Sequence, residues 1–95
     1  MGREMEVKKK AEGEYEVTVR EGSSATTHRV TLRAADWHSL CKGRVTPEEL
    51  VRRSFEFLLE REPKEAILRE FDLPVIAKYF PEYPRKIGKL LSGST

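Results

Sequence analysis

The chain has 95 residues, 38% of them hydrophobic and 36% charged, with a net charge of +2. That length supports one domain with a modest core, and an ionic content above the roughly 25% of ordinary soluble domains places dense charge on its surface. The charge divides as +2 over residues 1–45, −3 over 46–83 and +3 over 84–95, so no half of the chain is strongly basic in the manner of many nucleic-acid binders; Cys41 has no partner for an internal disulfide, and no apolar run has the length of a signal peptide or membrane span, so a cytoplasmic location is expected.

The N-terminal third alternates with period two, and three half-buried strands are predicted at about 4–10, 14–20 and 27–33. A loop Ala11-Glu12-Gly13, with Gly13 left-handed, pairs Lys10 with Glu14, Lys8 with Glu16, Glu4 with Arg20 and Val7 with Val17. A four-residue loop Gly22-Ser23-Ser24-Ala25 then pairs Val17 with Val30, Tyr15 with Leu32 and Glu14 with Arg33. Both registers put apolar side chains on one face and complementary charges on the other. In this scheme His28 is the last inward residue of its strand, opposite Val19, with its polar edge reaching water.

A short helix is predicted over 34–41, carrying Trp37, Leu40 and Cys41 and ending at Gly43. The strongest local start signal follows: Thr46-Pro47-Glu48-Glu49 reads as a capping box with proline in the first turn, and Val45 with Leu50 as a hydrophobic staple. The main helix is expected over 47–61, with Leu50, Val51, Phe55, Phe57, Leu58 and Leu59 as a broad apolar stripe. Two short helices are predicted beyond it, one at 63–71, whose Ile67, Leu68 and Phe71 form a narrow apolar strip, and one, with Asp72 as N-cap, at 73–80. Pro81 and Pro84 end the second, the aromatic cluster around them folds back on the core, and Arg85 to Leu91 trail as a basic, weakly apolar end. The fold class is therefore α+β, a three-stranded antiparallel meander with helices packed on one face; residues 1–90 are expected to form one domain and 91–95 a flexible tail.

Most chemistries lack the residues they need. His38 and Cys41 lie three apart on a helix, a spacing more economically explained by a core cysteine and a rim histidine than by a nucleophile and base. His28, Asp36, His38 and Cys41 match no zinc spacing, no phosphate-cradling glycine motif occurs, and nearly every glutamate lies beside or opposite a lysine or arginine. There is no Asn or Gln, and Asp occurs only at positions 36 and 72 against fourteen Glu. That removes the side chains that read adenine edges and most short carboxylates for a metal cage, and it fits heat adaptation, where Glu, Lys and Arg replace thermolabile amides. No enzyme activity, cofactor or small-molecule ligand is expected.

Binding is the class that remains. The sequence favours a small protein-interaction or regulatory module, with a protein partner or self-association, and Tyr79, Phe80 and Tyr83 as candidate contact residues. The alternative is a nucleic-acid-associated protein using Arg29 and Arg33 of the third strand with Arg85, Lys86 and Lys89 at the end. Against it, the outer sheet face carries no aromatic platform on which bases could stack.

Overall fold

The computed structural model describes residues 3–92, which form a mixed α+β domain. Strands β1 (Arg3–Ala11), β2 (Glu14–Glu21) and β3 (Ser24–Thr31) make the expected antiparallel meander. Helix α1 (Ala34–Cys41) and helix α2 (Pro47–Leu59) follow, then a single 3₁₀ turn (Lys64–Ala66) and strand β4 (Glu70–Asp72). A second 3₁₀ turn (Leu73–Val75) runs into α3 (Ile76–Tyr79), and α4 (Tyr83–Ser92) completes the described chain. The sheet order is β1-β2-β3-β4, with β4 parallel to β3.

In the first hairpin Glu4 faces Arg20, Val7 faces Val17 and Lys8 faces Glu16, as the alternation required. A bulge between Lys9 and Ala11 pairs Ala11, not Lys10, with Glu14, and Gly13 takes the left-handed position at φ 75°. The second hairpin departs from expectation by two residues. Its turn is only Gly22-Ser23, closed by the Glu21–Ser24 pair, so Val17 faces His28 and Tyr15 faces Val30. Gly22 at φ 61° supplies the positive φ that a type II′ turn needs at its first central position, and such two-residue turns match strand twist better than longer loops. A slide of two preserves every residue's face, which is why the alternation alone could not distinguish the registers.

The inner face of the sheet carries Tyr15, Val17, Val19, Val30 and Leu32, all buried, together with Thr26 and His28. The fully buried Leu50, Val51 and Phe55 of α2 belong to the same core. Only half of the expected capping box forms: Thr46 Oγ1 accepts the Glu49 N–H at 3.1 Å, while the Glu49 carboxylate takes Arg53 Nε at 2.8 Å. Helix α1 ends on Lys42, left-handed at φ 57°, one residue before Gly43 at φ 72°.

The helix expected over 63–71 does not form. After one 3₁₀ turn Ile67 is extended, and the chain runs along β3 so that Arg29 N–H bonds the Arg69 carbonyl at 2.7 Å and Phe71 pairs with Val30. The physical reason is the open edge of β3, whose unpaired backbone groups require partners when half-buried. Asp72 does hold the expected N-cap position, before the helical stretch 73–79, but its side chain makes no capping bond; its Oδ1 instead accepts the Thr31 hydroxyl at 2.6 Å. The 3₁₀ turn is fastened to the second hairpin by Lys64, buried, which donates to Ser24 Oγ at 2.7 Å and Glu65 Oε2 at 2.6 Å and lies 3.6 Å from Glu21 Oε1.

The basic end is a helix, not a trailing segment. Tyr83, Ile87 and Leu91, four residues apart, form one stripe of α4, with Tyr83 and Ile87 fully buried and Leu91 packed against the core. Pro84, expected only to end the preceding helix, sits in the first turn of this one, where a missing N–H is tolerated. Leu91 and Ser92 belong to α4, and the remainder of the expected tail, 93–95, lies outside the described residues.

Candidate interaction surface

Between the C-terminal part of α2, the extended segment before β4, and α3 lies an open apolar groove of about 300 Å³. Leu58, Ile67 and Ile76, all nearly buried, contribute to its floor, with Phe71 and Phe80 at its sides. Its rim is apolar as well: Leu68 is 45% exposed and Tyr79 65%. These are two of the three large hydrophobic side chains left exposed among the described residues.

The position of Leu68 follows from a buried histidine. His28 is 0% exposed, with its ring 5.3 Å from Phe55. Its Nδ1 lies 2.8 Å from the Leu68 carbonyl and its Nε2 2.8 Å from Thr26 Oγ1. A carbonyl can only accept, so Nδ1 carries the proton and Nε2 accepts from the threonine hydroxyl. Burial lowers the His28 pKa below its ordinary value; the hydrogen bond to Leu68 opposes this, and the Arg69 charge adds to the lowering. The neutral ring thus pins the backbone at Leu68, and the next bond, Arg29 N–H to Arg69 C=O, pins the following residue. With both carbonyls turned inward to the sheet, Leu68 stands at the rim of the groove. His28 is therefore not at a wet strand end opposite Val19; it is a buried positioning residue opposite Val17.

Of the expected contact residues, Tyr79 and Phe80 line this groove and Tyr83 does not. Tyr83 is 0% exposed, packs edge-on against Phe57 at 5.3 Å, and lies 2.6 Å from Ser54 Oγ. Burial pushes its phenol pKa well up. Leu68 carries no sequence signal for a surface role, since at helical spacing it shares an apolar strip with Ile67 and Phe71. Around the groove Arg69 and Lys78 are exposed and form no salt bridge among the described residues, while Glu62 is the one carboxylate in its lining.

The candidate nucleic-acid residues fall into separate places. Arg29 lies on the outer sheet face 3.8 Å from Glu70, and Arg33 precedes α1, 3.4 Å from Asp36. Arg85 instead lines a second open groove, of about 320 Å³, between α1 and α4, with Lys42 and Arg44. Lys86 and Lys89 are exposed on α4, and none of these five cations has a salt bridge among the described residues. Cys41, buried at this groove, directs its thiol to the Trp37 carbonyl at 3.3 Å, whereas His38 is exposed. Among the described residues no three His, Cys, Asp or Glu side chains gather as a metal site, and no helix is long and apolar enough to cross a membrane.

No family model, curated protein or solved structure matches this chain.

Proposed function

We propose that the protein is a noncatalytic interaction module that binds an apolar segment of another protein in the groove between α2 and α3. The observation that carries this reading is the exposure of Leu68 and Tyr79 over a floor of buried apolar side chains. Large exposed hydrophobics around a concave apolar surface are features of interface anchors. Arg69 and Lys78, exposed next in sequence to the lining residues Leu68 and Tyr79 and in no salt bridge among the described residues, favour a partner segment with acidic flanks, since complementary charge steers encounter and suppresses wrong partners. The groove also rests on a fixed frame, because His28 and the β3 edge hold the backbone of residues 68 and 69 before any partner arrives.

The test is affinity capture from the native source with the wild-type chain and with Leu68→Asp, after circular dichroism has shown that the variant is folded. A protein retained by the wild type, lost by the variant, and reconstituted with the wild type from purified components is the expected result. An identical set of retained proteins would refute the reading.

A second reading draws on Lys42, Arg44 and Arg85, which line the α1–α4 groove with no acidic residue in its lining, and on Lys86 and Lys89, exposed elsewhere on α4. It suits a polyanion such as nucleic acid, and its mark would be retention that falls steeply with salt. The carbonyl end of α1 accounts for part of this clustering, because cations are favoured at a helix C-terminus, and the protein-binding reading is therefore preferred.

A further inference from the structure

The sheet has two edges, and they are treated differently. β4 and the segment before it cover β3, whereas the nine-residue β1 forms the other edge with no strand beyond it among the described residues. Long open edges are templates for pairing unless something prevents it. Lysines are a common deterrent, and Lys8, Lys9 and Lys10 lie here, but so do Glu4 and Glu6.

The direction of the open backbone groups follows from the hairpins. A two-residue turn closes on a hydrogen-bonded pair, so Glu21, Val19, Val17 and Tyr15 turn their N–H and C=O groups toward β3. The Leu32 N–H to Gly13 C=O bond of 2.9 Å continues that parity. The even residues of β2 therefore face β1. Their partners Glu4, Glu6 and Lys8 face back, which leaves the N–H and C=O groups of Met5, Val7 and Lys9 directed outward along the free edge.

We infer that β1 pairs antiparallel with β1 of a second copy about a two-fold axis at Val7, joining the two sheets into one. In that register Val7 meets Val7 of the partner subunit, Met5 meets the partner's Lys9, Glu6 meets the partner's Lys8 and Glu4 meets the partner's Lys10. The charged pairs occupy the non-hydrogen-bonded sites, where side chains across an antiparallel ladder come closest. Each of these charged pairs occurs twice by symmetry, as an isologous contact requires, while the Val7 pair on the axis occurs once. Half-buried Met5 and Val7 keep to the inner face of both sheets, so pairing covers the apolar margin that α2 leaves.

Charge also selects this register over its neighbours. Sliding by two residues in one direction sets Glu6 against Glu6 of the partner subunit; sliding in the other sets Lys8 against the partner's Lys8. Parallel pairing in register would oppose like charges along the whole strand. With acids in the first half of β1 and lysines in the second, the antiparallel self-pairing centred on Val7 alone avoids every like pair. Glu4 and Lys10 form no ion pair among the described residues and are free for this contact. The inference does not rest on the α2–α3 groove, since β1 and β4 are opposite edges of the sheet.

Sedimentation equilibrium of the wild-type chain at low ionic strength should give twice the chain mass at high concentration. Under the same conditions the amides of Met5, Val7 and Lys9 should exchange more slowly as concentration rises. Glu4→Lys and Lys10→Glu should each weaken association by about tenfold, and an equimolar mixture of the two should recover it, because the mixture again sets opposite charges face to face. Leu68→Asp should leave the dimer intact, which separates this contact from the groove. A monomer at every concentration, a dimer without protection of those amides, or charge variants whose mixture associates no better than either alone would overturn the inference.

Discussion

Replacing Ser54 by alanine is expected to destabilise the protein more than replacing Tyr83 by phenylalanine, although the two hydroxyls bond each other. Both residues are fully buried, 2.6 Å apart at Oγ and Oη. Ser54 Oγ also lies 2.8 Å from the Leu50 carbonyl, which can only accept, so the single serine proton goes there. The tyrosine hydroxyl must then donate to Ser54 Oγ. In Tyr83→Phe the serine keeps its donor bond and the ring keeps its place against Phe57, so the loss is one hydrogen bond, about 1 kcal/mol. In Ser54→Ala the buried phenol loses its acceptor, at a cost of about 1–3 kcal/mol, offset by a few tenths from the better helix propensity of alanine. Melts followed by circular dichroism at one fixed protein concentration should show a fall in Tm of about 5 °C for Tyr83→Phe and roughly 10 °C for Ser54→Ala. The decisive result is the double variant. With the stranded hydroxyl gone, Ser54→Ala/Tyr83→Phe should be more stable than Ser54→Ala alone, and a further loss of stability on adding Tyr83→Phe would refute the assigned proton arrangement.

Two further predictions concern pH and backbone. His28 has a folded pKa below its ordinary 6.5 because it is buried, so the unfolded chain takes up a proton that the folded chain resists. Stability should be fully present above pH 6.5 and decline as pH falls from there toward the folded pKa; His28→Leu should flatten this slope in urea unfolding, and an unchanged slope would remove His28 as its source. Glu21 and Glu65, held below their ordinary 4.5 by hydrogen bonds from Arg3 and Lys64, contribute stability that is lost only at lower pH. At Gly13, with φ at +75° and a Cβ that would lie 3.3 Å from the Leu32 carbonyl, alanine should cost about 1–3 kcal/mol. At Gly88, within α4 and with no atom near an added Cβ, alanine should stabilise by about 0.5–1 kcal/mol, seen as a higher Tm.

The amino-acid sequence by itself determined the local features. Period-two alternation showed that there are three strands and gave the faces of the residues it assigned to them, although β3 starts at Ser24, inside the expected loop; Gly13 marked one turn, and Thr46-Pro47 marked the start of α2. These depend on side chains within one turn or one strand pair, where a single stretch of chain contains all the interacting parts. Tyr79 and Phe80 were legible as candidate contact residues from their composition alone, and both line the groove.

The tertiary structure decided whatever depended on a distant partner. Residues 67–72 have an apolar spacing compatible with a helix, yet they extend because the edge of β3 offers hydrogen bonds that no local pattern encodes. That choice moved Leu68 from an inward strip to the rim of the groove. His28 became a clamp because residues forty positions apart in sequence meet across the sheet edge. Tyr83 went into the core because Ser54 of α2 presents it an acceptor, and the basic end became a helix because Ile87 and Leu91 had a place to pack beside it. Periodicity fixes which way a side chain points relative to its own element; only the packing of elements fixes what it meets.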